Sequence, residues 1–214
     1  MDNWKCLMQD TVITVTPTSR YGQVYDTARV ETYFQLESTF PENEEFLVPS
    51  MEKIPDEDLR IFKEGKFEFG PIPKSTIVRE VQDYALQVAN GSAEGIRTDM
   101  ALGLASLYMQ PIKLKPIGPN VYHLSYEYSI YRDPVDDHFS IYQTLPFRGF
   151  DMPAGTVRFT TVLPAGVRLH SEATEGKDLV GNIIDDQSQT FSNGMTVVTF
   201  FYQSDPNFLI KYIY

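Results

Sequence analysis

The chain has 214 residues, 42% apolar and 22% charged. That globular composition argues against long disordered stretches and suits one large domain or two small ones. Its formal net charge of −11 repels phosphate backbones and anionic lipid, so neither nucleic acid nor membrane is an expected partner.

Residues 11–16 (Thr-Val-Ile-Thr-Val-Thr) read as a strand closed by Pro17. Over 28–40, Val30, Thr32, Phe34 and Leu36 share one face and Arg29, Glu31, Gln35 and Glu37 the other, the period of a half-buried strand. Residues 41–58 follow with three prolines. Glu42 to Asp58 holds seven acids and one Lys, and reads as an acidic surface loop with a short extended piece at Phe46–Val48. Leu59–Phe62 and Lys66–Phe69 flank Glu64-Gly65 as a hairpin would; the competing reading is a helical turn started by Pro55 and the acids after it.

The period then changes. Ile77, Val81, Tyr84 and Val88 fall on one helical face, Ser75 or Thr76 offers a cap, and Asn90-Gly91 a stop, which predicts a helix over 76–89. A second helix, buried by Met100, Leu102, Leu104, Leu107 and Met109, is expected over 98–109 and ended by Pro111. Residues 111–120 contain three prolines and a glycine, and mark a boundary.

Past it the chain alternates. In 121–131, Tyr122, Leu124, Tyr126, Tyr128 and Ile130 oppose His123, Ser125, Glu127 and Ser129. Further strands are expected at 138–145, 156–163, 167–172, 179–184 and 188–191. Ser192-Asn193-Gly194 is a hairpin signal before 195–202, a strand apolar on both faces and so placed mid-sheet, and 208–214 is the last strand. The expected fold is mainly β, a β-sandwich of Ig-like or jelly-roll-like type, with an N-terminal α+β segment containing two helices. The expected division is 1–110 and 111–214.

The sequence has no Gly-rich phosphate loop with Lys, no Gly-x-Ser-x-Gly elbow, no His-Glu-x-x-His and no paired cysteines. Cys6, beside Trp4 and Leu7, reads as a small buried hydrophobe. Asp133, Asp136, Asp137 and His138 crowd one turn, a set of hard ligands for Ca²⁺, although the spacing lacks the Gly and alternating oxygens of a calcium loop. Asp and Pro are also what a turn uses for backbone reasons. Glu31, Glu37 and Glu127 are the carboxylates on which a glycoside hydrolase reading rests. Tyr122, Tyr126 and Tyr128 would form a stacking platform for a sugar if their face were open, and core if not.

These features point first to a non-enzymatic structural or assembly protein that packs with other protein subunits, homo- or hetero-oligomeric, such as a virus-particle accessory component of the capsid, neck or tail. A carbohydrate-binding module and a hydrolase are the alternatives. No cofactor is expected. The start, MDNWKCLMQD, lacks the basic and apolar regions of a signal peptide, and the lone Cys6 excludes an intrachain disulfide. The expected setting is the cytoplasm or a virion assembled there.

Overall fold

The structure is a computed structural model that describes residues 4–64, 69–90, 101, 103–105, 107–133, 136–203 and 205–214, with backbone alone at 63–64, 83–88 and 186. The chain is mainly β. It divides into two compact units, residues 1–40 with 115–214 and, between them, 41–114. This differs from the expected division at 110. The first forty residues belong with the C-terminal strands, and the second crossing falls between Leu114 and Lys115, inside the proline-rich stretch 111–120.

The chain opens with a long strand, β1 (Trp4–Thr16), and turns through a short 3-10 segment into β2 (Tyr25–Leu36). The N-terminal part is therefore strand, and the helices lie inside the inserted unit, not in an N-terminal α+β segment. β1 begins seven residues before the Thr11 read from the sequence. Two features hide its start. Buried Gln9 occupies an inward position where an apolar residue is expected, and a register shift between Cys6 and Met8 breaks the alternation. Gln9 accepts a hydrogen bond from the Phe147 N–H through Oε1 at 3.3 Å.

The inserted unit contains β3 (Glu45–Pro49), α1 (Asp56–Glu64), β4 (Ile72–Pro73), α2 (Lys74–Ala89) and β5 (Met109–Lys113), with β3 between β4 and β5. The helix α1 replaces the hairpin expected at 59–69: Asp56, Glu57 and Asp58 fill its first turn, where the helix dipole favours acids. Residues 65–68 lie outside the described residues. Helix α2 starts two residues earlier than expected, directly after Pro73. Ser75 and Thr76 thus fall inside its first turn rather than before it, and Glu44 accepts from the Ser75 N–H at 2.8 Å, one of the free N-terminal groups. Of the second expected helix, Ala101 and Gly103–Ala105 are helical, and 91–100 lie outside the described residues. Met109 and Pro111 belong to β5 and oppose Pro49 and Leu47. Phe62, Ile72, Ile77, Ala101, Ala105 and Met109 form the core of this unit. Among the described residues no helix is long and apolar enough to cross a membrane.

The chain returns as β6 (Lys115–Gly118), β7 (Val121–Tyr131), β8 (Phe139–Thr144), β9 (Phe150–Asp151), β10 (Thr156–Leu163), β11 (Arg168–Leu169), β12 (Glu175–Lys177), β13 (Ile183–Ile184), β14 (Asp186–Thr190), β15 (Thr196–Tyr202) and β16 (Asn207–Ile213). The larger sheet runs β14-β15-β10-β1-β2-β7-β6, with β9 also pairing β1, and the smaller runs β11-β16-β12-β13, with β8 also pairing β16. The pairs β1–β10 and β1–β9 are parallel and β1–β2 is antiparallel, so the first strand lies inside the larger sheet.

The two sheets meet through aromatics. Phe208 of the smaller sheet stacks on Phe159 (centroids 5.1 Å) and packs on Phe200 (4.8 Å) of the larger, and all three are fully buried. Gly176 faces the same place. A Cβ there would lie 3.0 Å from Ile184 Cβ and Phe208 Cδ1 and 3.1 Å from Phe200 Cδ1. Gly176→Val should therefore lower stability by about 2 kcal/mol through overpacking. Urea unfolding checks this, and an unchanged midpoint would show that the site has room.

A buried carboxylate also joins the sheets. Asp26 on β2 is fully buried. Its Oδ1 accepts from the Ser19 N–H (3.1 Å) and hydroxyl (2.6 Å), and its Oδ2 from the hydroxyls of Tyr212 (2.9 Å) and Tyr214 (2.5 Å). Burial, with the Asp26 charge added, pushes both phenols well above their ordinary range, so they stay protonated and donate. The Arg20 guanidinium lies 4.0 Å over the Tyr214 ring and donates to the carbonyls of Ala165 (2.6 Å) and Gly166 (3.1 Å).

Cys6 is fully buried as expected, and burial pushes its thiol up to about 12. It should resist alkylation in the native state and react once the chain is unfolded. Rapid labelling of the folded protein by a maleimide would contradict this placement.

Candidate interaction surface

The pairing registers define the face of the larger sheet that points away from the smaller one. In antiparallel pairs, residues directly opposite share a face. One row crosses the sheet as Lys115, His123, Tyr33, Asp10, Arg158 and Phe201. The next is Ser125, Glu31, Val12, Thr160 and Thr199, and a third is Glu127, Arg29, Thr14, Val162 and Val197. β-branched residues fill the middle of this face, as suits a pleated surface.

Glu31 is its best-organised group. Its Oε1 accepts from Arg29 Nε (2.9 Å) and NH2 (2.7 Å) and from the Ser125 hydroxyl (2.9 Å), while Oε2 meets His123 Nε2 at 2.5 Å. The Tyr33 ring stacks on His123 with centroids 4.6 Å apart. Two strands away, Arg158 grips Asp10 with both arms, from Nε to Oδ1 at 2.8 Å and from NH2 to Oδ2. Beside these ordered groups Phe201 is 64% and Tyr33 41% exposed.

Partial burial works to raise the Glu31 carboxyl, and the hydrogen bonds from Arg29, His123 and Ser125 outweigh it, leaving the group below its ordinary value. A carboxylate depressed in the folded state contributes stability above its unfolded value and loses it as pH falls through its folded value. Wild-type stability should therefore fall on acidification through the glutamate range, and Glu31→Gln should flatten that part of the profile. Parallel acid profiles for the two proteins would contradict the arrangement.

The acids of the turn at 133–138 are engaged by ion pairs and hydrogen bonds. Asp136 pairs with Lys211 Nζ at 2.6 Å and accepts from the His138 N–H at 3.2 Å; Asp137 pairs with Arg132 at 3.1 Å; Asp133 accepts from the Asp136 N–H at 3.3 Å. The carboxylates of Asp133, Asp136 and Asp137 are thus held by Arg132, Lys211 and turn N–H groups, and His138 Nδ1 lies 2.5 Å from the Asp136 carbonyl oxygen two residues back. Among the described residues no group of three or more His, Cys, Asp or Glu is arranged to hold a metal ion. The turn does bring His138 against His170, rings 5.0 Å apart, a contact with no local sequence signal.

Tyr122 and Tyr126 point into the core and Tyr128 is half-buried beside them, so this face offers no open stacking platform. Glu37 pairs with Lys5 at 3.3 Å near one end of β1, and Glu31 and Glu127 lie on the same face of the sheet. Arg29, Glu31, His123 and Ser125 were already on polar faces by period two; what the sequence lacked was the pairing of β2 with β7. Compared with known proteins, the chain matches no family model and no curated relative.

Proposed function

We propose that the protein is a non-enzymatic assembly subunit that packs with other protein subunits in many copies, in a setting such as a virus-particle accessory component of the capsid, neck or tail. The observation that supports this most is where its organised side chains stand. Arg29, Glu31, His123 and Ser125 are fixed on an open sheet face, with Tyr33 and Phe201 exposed on the same face. Bond-making on a substrate calls for groups converging in a concave, water-poor site. A broad face carrying aromatic and Arg side chains suits contact with protein. Burial of Tyr122 and Tyr126 weighs against the platform that motivated the sugar-binding alternative, and the pairing of Glu37 with Lys5 weighs against its use in the hydrolase alternative. Within the sandwich class the parallel pair of β1 and β10 departs from the wholly antiparallel sheets of both the Ig-like and the jelly-roll-like types.

Light scattering across a concentration series tests the reading. A molar mass that stays at 24.5 kDa throughout, with no protein co-purifying from the native source, would overturn it.

A further inference from the structure

Resting on that reading, we infer that the outer face of the larger sheet is a self-contact surface, through which two copies of this chain pack face to face about a two-fold axis. Charge is the first argument. The chain carries −11, so two copies repel each other across most of their surfaces. On this face three acids, Asp10, Glu31 and Glu127, are balanced by three bases, Arg29, Arg158 and Lys115, for a net of zero. A neutral patch with both signs interspersed lets a second, equally acidic copy approach.

Composition points the same way. Phe201 and Tyr33 are exposed, both strand-interior bases are Arg, and β-branched Val12, Val162 and Val197 lie between them. Interfaces are enriched in aromatics and Arg and depleted in Lys. Phe201 in particular sits on β15, inside the sheet, where an exposed Phe needs a reason.

Size permits it. Six strands at about 4.8 Å spacing and about 20 Å of strand length give roughly 600 Å² of face per copy. Two such faces together hide about 1,200 Å², the lower bound of a specific interface. Glu31 and Asp10 are already held by Arg29, His123, Ser125 and Arg158, so little side-chain freedom remains to be lost on contact. An isologous contact of this kind closes on itself at two copies, and a larger assembly grows from the pair through other faces.

Sedimentation of wild type, Phe201→Glu and Tyr21→Glu at matched concentrations tests this. Tyr21 is 81% exposed and absent from the face, so its replacement makes the same charge change elsewhere. Wild type and Tyr21→Glu should sediment at twice 24.5 kDa and Phe201→Glu at the single-chain mass, with unchanged thermal unfolding showing that each variant folds. A Phe201→Glu protein that keeps the wild-type mass overturns the self-contact while leaving the assembly reading standing. A wild type that stays at 24.5 kDa with no co-purifying partner overturns both.

Discussion

Phe208→Ala is expected to cost about 4 kcal/mol of stability. The ring is fully buried and touches Phe159 at 5.1 Å and Phe200 at 4.8 Å, so its removal leaves a cavity where the two sheets meet. Neighbouring strands hold the flanking rings in place, which limits how far the gap can close. Against the total of roughly 5–15 kcal/mol that holds a typical domain, a loss of this size leaves a fold close to its limit. Denaturant unfolding measures it. A loss under about 1.5 kcal/mol would mean that the sheets slide together, or that Phe208 does not join them.

Asp26→Ala is the second large effect, and its origin is polar. The carboxylate accepts four hydrogen bonds, two from Ser19 and one each from Tyr212 and Tyr214. Truncation leaves the hydroxyls of buried Tyr212 and of Tyr214 without this acceptor. Bonds to a charged acceptor contribute about 1.5–3 kcal/mol each, and relief of the buried charge offsets part of the sum, so a net loss of about 3 kcal/mol is expected. Tyr212→Phe removes one bond and keeps the acceptor, and should cost about 1–2 kcal/mol. If Asp26→Ala costs less than Tyr212→Phe, the carboxylate does not organise the site.

Much of the strand pattern was legible because local alternation records which face is buried. β7 and β10 have the bounds read from their period of two, and β15 lies inside the sheet, as its apolar character required. β1 was half hidden, because inward Gln9 and the irregularity between Cys6 and Met8 disturb the period. Its parallel pairing with β10 joins residues about 150 positions apart and leaves no local trace. The same distance concealed the Asp26 cluster, which needs Tyr212 and Tyr214 to return beside β2. In α1 the first-turn acids favoured a helix, while Gly65 and the flanking apolar residues also suited a hairpin; the helix prevails. In the Asp133–His138 turn, the pairing of Asp137 with adjacent Arg132 was within local reach, whereas that of Asp136 with Lys211 joins residues 75 positions apart.

The most direct test of the central claim, that the open face of the larger sheet is where this protein meets its partners, is hydroxyl-radical footprinting of the assembled and dissociated protein. Tyr33 and Phe201 should label readily in the dissociated chain and be protected on assembly, while Tyr21 labels equally in both. Equal labelling of Tyr33 and Phe201 in the two states would contradict the account.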